Sequence, residues 1–336
     1  MKKIFFEIIS SLRSKEIKIH ATSLWMQMGA VLLNLFTNLL LARIMLPEDY
    51  GAFAYSSTLI FVLAGLGSFG TLNVLVREVS AAAAQNNTSL SNNLLFWASK
   101  RSIVFLFLTL SVFIFISLQF NLFFGTESMT PYRYPILVSL LSVPLLTNIY
   151  ISQSYLQGLS KIFSAQFAEK LLKPFLFLAF AASIYILQKK IPLSFSTVAL
   201  INPLAFLIAL IAIFMSVRKS LAPTDSSLLE KNISERWKKS SLTFFFFNAV
   251  TLIFLRTDML ALGFFENTEQ IGIYNISCRV ADIVSFPLHI ISFGLSPLIS
   301  GFFLSEDKRK LQQTVTASVR IIFFLSVIPA IILFFF

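Results

Sequence analysis

The sequence predicts an all-α fold, a polytopic transmembrane helix bundle of about nine spans. Of the 336 residues, 56% are hydrophobic and 13% are charged, and the mean hydropathy of +0.79 lies outside the range of soluble globular domains. Nine apolar runs have the length needed to cross a hydrocarbon core of roughly 30 Å. The net charge of +11 comes from short basic clusters between these runs, a pattern that indicates membrane topology and argues against a nucleic-acid partner.

The first two spans flank a predicted turn. Residues 1–20 combine basic side chains with apolar ones at helical spacing, which predicts an amphipathic helix on the inner membrane face. The first span, about 24–46, has a polar face that includes Arg43. Residues 47–51 predict a tight turn, because proline cannot continue a helix and glycine tolerates reversed dihedrals. In the second span, about 53–76, three glycines predict close helix approach; they are Gly65, Gly67 and Gly70.

The middle of the chain alternates polar and apolar stretches. Residues 77–100 are polar and are predicted to form a loop. The next four spans are about 102–124, 134–156, one that begins near 165, and 196–217. The fifth span places Glu169, Lys170 and Lys173 in its inner third, and Pro174 predicts a kink there.

The longest hydrophilic segment divides the chain. We predict a first six-helix half at 1–218, a cytoplasmic linker at 219–240, and a second half at 241–336 that contains only three spans. Those spans are about 242–265, 271–298 and 316–336. The predicted inner segments hold 20 Lys and Arg residues and the outer loops hold three, so the positive-inside rule predicts a cytoplasmic N-terminus.

An internal repeat supports the two halves. Pro47-Glu48-Asp49-Tyr50-Gly51 after the first span is similar to the stretch from Glu269 to Asn275 after the seventh. Gly51 and Gly272 are 221 residues apart, with six spans between them. An even number of spans gives both halves one orientation, so they are predicted to be parallel repeats about an axis along the membrane normal.

The same residues carry a family resemblance. LLARIMLPEDYGAF at 40–53, followed by Gly70 and Val76-Arg77-Glu78, resembles the first two helices of polysaccharide-repeat (O-antigen type) flippases. These flippases belong to the multidrug/oligosaccharidyl-lipid/polysaccharide exporter superfamily, which also contains the MATE transporters. DMLALG at 258–263, IGIYN at 271–275 and Arg279 are similar to the seventh and eighth helices of that family.

The resemblance implies a function and a location. It implies a transporter, and not an enzyme, that flips polyprenyl-pyrophosphate-linked oligosaccharides across the bacterial cytoplasmic membrane for surface polysaccharide biosynthesis. The implied partners are the lipid-linked oligosaccharide, membrane lipid and other polysaccharide-assembly membrane proteins, with no cofactor. Family members usually have twelve or more spans, so we expect this chain to be a truncated version and not a complete transporter.

Charges inside the spans define the candidate site. Such charges are costly in hydrocarbon, roughly 3 kcal/mol or more each, so they normally face a bundle interior or a wet cavity. The predicted substrate-binding residues are Arg43, Arg256, Asp258, Arg279 and Asp282. Either the last four form a structural network between helices, or Arg256 and Arg279, together with Arg43, line a cavity between the halves and attract a pyrophosphate. Lys170 and Lys173 are either interfacial anchors or the place where a phosphate first binds.

Two other functions stay open at this stage. A cation-coupled multidrug exporter of the same superfamily would need a cavity rich in carboxylates, whereas the charges within these spans include more arginine than aspartate. An integral-membrane enzyme is the rival from a different class, and an inactive fragment is a further alternative. The sequence has no motif of a hydrolase or a metal site, and its loops are short for a glycosyl-transferring enzyme.

Overall fold

A computed structural model describes residues 15–85, 87–120, 131–187, 192–221, 231–304 and 308–335, and no strand occurs among them. Most of the predicted N-terminal amphipathic helix lies outside these ranges. The helices are α1 (Lys15–Ile44), α2 (Pro47–Gly67), α3 (Thr71–Ala84), α4 (Thr88–Phe120), α5 (Arg133–Ser139), α6 (Ser142–Gly158), α7 (Ile162–Phe167), α8 (Lys173–Leu187), α9 (Phe195–Arg218), α10 (Lys231–Phe265), α11 (Thr268–Leu304) and α12 (Lys308–Phe335). A π-helical turn, Ala168–Leu172, joins α7 to α8.

The predicted all-α membrane bundle is confirmed. Within the described ranges, eight helical segments are long and apolar enough to cross a membrane. They correspond to eight of the nine predicted spans. The remaining prediction, about 271–298, falls within the 37-residue helix α11, whose first half carries Glu269, Arg279 and Asp282.

Two predicted irregular segments are helical instead. The predicted loop at 77–100 consists of the end of α3 and the start of α4, with a short connection at 85–87. The predicted turn at 47–51 is the first turn of α2, and Pro47 occupies the start of that helix. Proline suits this position because the N–H it lacks would have no partner there, and Glu48 and Asp49 favour the positive end of the helix dipole.

The second predicted span is broken at Gly70. Phe69 and Gly70 have φ values of 48° and 66°, which separate α2 from α3. Glycine adopts this left-handed conformation without the steric cost that a side chain imposes. A side chain at Gly70 would also overlap the backbone of α10 near Ser241. The close helix approach predicted from the glycines is therefore present, and the break in the helix is an addition to it.

The expected kink near Pro174 takes the form of the π turn. Proline has no N–H to donate, and its ring crowds the carbonyl of the residue four positions before it, here Lys170. A π turn, which adds one residue to the helical turn, accommodates this conflict without ending the helix. It is built from residues 168–172, so it also sets where Glu169, Lys170 and Lys173 project.

The internal repeat has the same local structure in both copies. Helix α1 ends at Ile44 and α2 begins at Pro47, and 221 residues later α10 ends at Phe265 and α11 begins at Thr268. The hydrogen bond from the Met45 N–H to the Leu41 carbonyl recurs between Glu266 and Leu262. The bond from Tyr50 to Leu46 likewise recurs between Ile271 and Asn267. The repeated sequence therefore forms the same helix–turn–helix geometry in both copies. The predicted division of the chain into halves at 219–240 stays a prediction.

The chain forms two compact units. The larger unit is Leu39–Asn275, and the smaller comprises Met1–Asn38 with Ile276–Phe336. Within the smaller unit, Ser318 is the buried residue of α12, and most of the other described side chains of that helix are exposed. Such exposure of an apolar helix is expected where lipid is the solvent.

Within the larger unit, α10 runs antiparallel along α2 and α3. Contacts join Gly263 to Tyr55, Arg256 to Phe61 and Leu252 to Gly65. Further along, Asn248 accepts a hydrogen bond from Asn73 at 3.5 Å, and Ser241 donates one to the Phe69 carbonyl at 2.5 Å. We call this line of contacts the α2/α3–α10 seam. It joins helices that belong to different predicted halves.

The two repeat glycines contact each other. A Cβ atom built on Gly272 would lie 3.2 Å from the Gly51 nitrogen and 3.3 Å from its Cα, and one on Gly51 would overlap the Thr268 carbonyl. Next to this contact, Asn275 donates a hydrogen bond to the buried Tyr50 hydroxyl at 2.9 Å. A contact between equivalent positions of two repeats is typical of packing about a two-fold axis.

This contact makes Gly51→Ala a strongly destabilising change. The added methyl group meets backbone atoms, which cannot rotate away, so we expect a loss of about 3 kcal/mol in unfolding free energy. Gly65→Ala is the matched control, because its methyl group meets the flexible end of the Leu252 side chain. Thermal unfolding of the two purified variants in detergent would measure the difference. Equal melting temperatures would contradict the contact.

Candidate functional site

Electrostatic interactions link side chains from four helical segments of the larger unit. The Tyr150 hydroxyl of α6 interacts electrostatically with Glu169 of the π turn and with Arg256 of α10. Glu169 interacts in turn with Lys170 of the same turn and with Lys173 at the start of α8. We call these five residues the central charge cluster. It contains three cationic groups and one carboxylate.

The cluster lies near the middle of the spans that carry it. Tyr150 is eight residues from the end of α6, Arg256 is nine from the end of α10, and Lys173 is 11 from the start of α7. At 1.5 Å per residue, these positions are roughly 12–17 Å from the nearest helix end. A hydrocarbon core is roughly 30 Å thick, so the cluster is at membrane depth.

The cluster residues share one level of burial. All five are half-buried, although protein atoms closely surround Glu169 and Lys173. Such side chains are neither fully buried in a packed core nor fully exposed on the surface. The five side chains are therefore partly accessible within the bundle.

Aromatic rings hold Lys173 in place. Its ammonium nitrogen lies 4.4 Å from the ring centroid of Phe206 and 5.3 Å from that of Phe177. Both rings are buried. A desolvated cation–π contact is worth about 2 kcal/mol, and it fixes an ammonium group without a carboxylate or carbonyl acceptor. The lysine is thus positioned as a cation inside the bundle, and it does not extend to the membrane surface.

Arg256 is positioned in the same way. Its guanidinium carbon lies 4.8 Å from the ring centroid of Phe61, across the α2/α3–α10 seam. Asp258, two positions further along α10, is exposed and accepts a hydrogen bond from the Tyr274 hydroxyl at 2.7 Å. As their helical spacing predicts, Arg256 and Asp258 therefore have different partners.

The other predicted site residues lie elsewhere. Arg43 is exposed in the last turn of α1. Arg279 and Asp282 form an ion pair at 3.6 Å along α11, within the smaller unit. Their three-residue spacing predicted a shared helix face. Of the seven predicted residues, Lys170, Lys173 and Arg256 belong to one cluster, and a substrate-binding role for all seven stays a prediction.

Sequence reasoning missed two members of the cluster as site residues. Tyr150 is one of several polar residues in the fourth span, and its sequence neighbours do not distinguish it. Glu169 did carry a signal, because it is an acidic residue beside two lysines in an otherwise apolar span. Glu169 is linked to Arg256 only through Tyr150, which interacts with both. This link depends on how three helical segments pack, which the sequence does not show.

A second charged group lies at the far end of the seam. Glu78 of α3 accepts hydrogen bonds from Arg77 and from Arg236 of α10, with ion-pair distances of 2.8 and 2.5 Å. Arg77 also donates to Ser240 at 3.2 Å. Burial alone raises the pKa of the Glu78 carboxyl, but the two arginines outweigh it and hold that pKa below its ordinary value of 4.5. We call this group the Glu78 bridge.

Loss of charge at Glu78 should weaken the bridge. Because its pKa is lowered in the folded state, the carboxylate contributes stability above its unfolded pKa of about 4.5 and loses it as the pH falls through the folded value. We expect Glu78→Gln to lower stability at pH 7 by about 1 kcal/mol and to flatten the acid side of the stability profile. Glu235→Gln, which alters the exposed pair with Lys238, is the control and should do neither. Thermal unfolding from pH 7 to pH 4 tests this, and identical profiles for Glu78→Gln and the parent protein would contradict it.

A separate cavity lies among α4, α6 and α9. Its volume is about 340 Å³, and its polar lining groups are Ser99, Asn148 and Ser152. The remaining lining is apolar, and none of the predicted site residues contributes to it. Because no charged side chain lines it, this cavity is distinct from the central charge cluster.

The fold and the cluster define a class, a multi-pass helical membrane protein. Residues 20–303 match the family described as "Polysaccharide biosynthesis protein". The chain belongs to this family. No curated protein matches the chain by sequence.

Two solved structures share the fold. One is described as a structure of the "MATE multidrug transporter DinF-BH"; it is 14% identical, with 93% of this chain and 70% of that chain covered, at a TM-score of 0.59. The other is described as "Inward-facing conformation of a multidrug resistance MATE family transporter of the MOP superfamily". It is 13% identical, with 91% of this chain and 71% of that chain covered, at a TM-score of 0.68. At such identities, the likeness concerns the fold alone.

Proposed function

We propose that the protein moves a polyprenyl-diphosphate-linked oligosaccharide from the inner to the outer leaflet of the bacterial cytoplasmic membrane. The N-terminus is cytoplasmic in this proposal, and no chemical step occurs. The sugar travels through the bundle while the lipid tail stays in the bilayer. Membrane proteins that assemble the same polysaccharide supply and receive the substrate.

The observation that carries the proposal is the excess of positive charge in the central charge cluster. At membrane depth, Lys170 and Lys173 interact with one carboxylate, that of Glu169, and Arg256 interacts with Tyr150 of the same cluster. An excess of cations over carboxylates is costly in a low-dielectric bundle, so such a site favours an anionic ligand. A diphosphate supplies several negative charges and the oxygen acceptors that ammonium and guanidinium groups bind. Membership of the polysaccharide biosynthesis family supports a saccharide carried on that diphosphate.

A cation-coupled multidrug exporter is the second candidate. The shared fold with two MATE transporters favours it, as does the presence of two carboxylates, Glu169 and Asp258, on helices of the bundle. In that mechanism a carboxylate binds the coupling cation, so loss of its charge stops transport. In the flippase, a carboxylate away from the cationic cluster matters less.

Asp258→Asn separates the two candidates. The asparagine keeps the hydrogen-bond acceptor for Tyr274 but removes the charge. We expect the purified variant, reconstituted in liposomes, to translocate a fluorescent polyprenyl-diphosphate-linked oligosaccharide at a rate within about threefold of the parent protein, less than 1 kcal/mol in activation free energy. No flipping by the parent protein, together with gradient-driven dye efflux that Asp258→Asn abolishes, would favour the multidrug exporter.

A further inference from the structure

Glu169 is the one acidic member of the central charge cluster. It interacts electrostatically with both Lys170 and Lys173. Among the described residues, however, the ion pairs within 4.0 Å do not include Glu169. The carboxylate therefore lies near the lysines without forming a closed salt bridge, and a gap remains between the opposite charges.

Lys173 does not depend on Glu169 for its position. The rings of Phe177 and Phe206 hold its ammonium group. If the carboxylate moves, the cation stays where it is and remains able to donate hydrogen bonds to another anion. Because of these aromatic contacts, the position of the Lys173 ammonium group does not depend on the position of the Glu169 carboxylate.

The backbone beneath Glu169 is the irregular part of the helix. Glu169 lies within the π turn Ala168–Leu172, whereas Lys173 begins the regular helix α8. π turns are rare, and they occur frequently at functional sites. A shift confined to this turn would move the carboxylate relative to Lys173 and leave the lysine in place.

We propose that Glu169 is an internal competitor for the anion site of the transporter. Its carboxylate neutralises Lys170 and Lys173 when the site is empty, the diphosphate of the substrate displaces it, and its return promotes release. This inference rests on the proposed function, because it requires an anionic substrate. Glu169 is then a positioning residue that weakens binding and speeds release, in contrast to a group that binds the substrate.

If Glu169 is an internal competitor, removing its charge should raise the affinity for an anionic ligand and lower the rate of translocation. Farnesyl diphosphate is the binding probe, and the full chain is used in lipid nanodiscs. We expect Glu169→Gln to bind the probe about tenfold more tightly and to release it correspondingly more slowly, because one repelling charge is gone. Translocation of the fluorescent lipid-linked oligosaccharide at saturating substrate should fall by a similar factor. Glu266→Gln, which removes an exposed carboxylate outside the cluster, is the matched control and should change neither quantity.

Two further variants separate the possible failures. Lys173→Gln should lose at least tenfold in probe affinity. If Lys173→Gln loses affinity and Glu169→Gln binds like the parent protein, the competitor role is wrong although the anion site stands. If neither variant changes probe binding, the proposed function itself fails. Glu169→Ala repeats the measurement with a smaller side chain in case the glutamine variant does not fold. Unchanged probe binding, together with loss of gradient dependence in either Glu169 variant, would instead assign the residue to ion coupling.

Discussion

Arg256→Ala is expected to abolish polysaccharide export without reducing the amount of protein in the membrane. The guanidinium group lies over Phe61 and interacts with Tyr150 at membrane depth, so under the proposed function it contributes positive charge to the diphosphate site. Loss of a desolvated charge contact costs about 2–5 kcal/mol, which corresponds to a fall of roughly a hundredfold or more. Surface polysaccharide in a strain that lacks its own flippase measures export, and flipping in liposomes measures the step directly.

Two variants control for this result. Arg256→Lys should recover part of the activity, because lysine keeps the charge and the aromatic contact but loses the two-pronged donor geometry. Arg320→Ala removes an exposed arginine from α12 and should export normally. Normal export by Arg256→Ala would show that the excess positive charge of the cluster does not serve the substrate. If export by Asp258→Asn failed in the same experiment, the cation-coupled exporter would take the place of the flippase.

Composition predicted the membrane class and the positions of the spans, because hydrocarbon imposes one strong requirement on every residue that it contacts. It predicted the ends of the helices less well. The polar stretch at 77–100 is helical on both sides of residues 85–87, although its composition resembles that of a loop. A fall in hydrophobicity marks where the chain leaves the hydrocarbon core. A helix can extend past that point, because its backbone hydrogen bonds do not depend on the hydrophobicity of its side chains. Apolar runs therefore locate membrane crossings better than they locate helix ends.

The candidate site divides in the same way. Arg256 and Lys173 could be predicted because an isolated cation in an apolar run costs free energy, and such residues commonly belong to functional sites. Tyr150 could not, because a tyrosine in a membrane helix is inexpensive and its importance comes from neighbours on two other elements. The pairing of Gly51 with Gly272 was predictable as a repeated motif, but its direct contact was not. Sequence similarity between two segments carries no information about the distance between them.

Joining α3 to α10 at the Glu78 bridge should stop transport. The α2/α3–α10 seam is in contact from Tyr55 and Gly263 at one end to Glu78 and Arg236 at the other. Alternating access requires the two ends of such a seam to open in turn. Cys278 is the one cysteine of the chain, so it is first replaced by serine. Glu78→Cys and Arg236→Cys are then introduced together and linked by a bifunctional methanethiosulfonate reagent. We expect flipping in liposomes to fall at least tenfold, because a conformational step then limits turnover, and to return when dithiothreitol cleaves the link.

A second cysteine pair tests whether this loss comes from the seam. Glu235→Cys with Lys238→Cys places the same link within α10, at an exposed ion pair three residues apart, and should leave flipping unchanged. The Glu78 bridge is suited to opening because its arginines are largely exposed, and such pairs contribute only about 1 kcal/mol. Beyond the other end of the seam, the packed contact of Gly51 with Thr268 has no such side-chain freedom. Full transport by the linked Glu78–Arg236 pair would show that α3 and α10 move as one body, and that the moving contact lies elsewhere in the bundle.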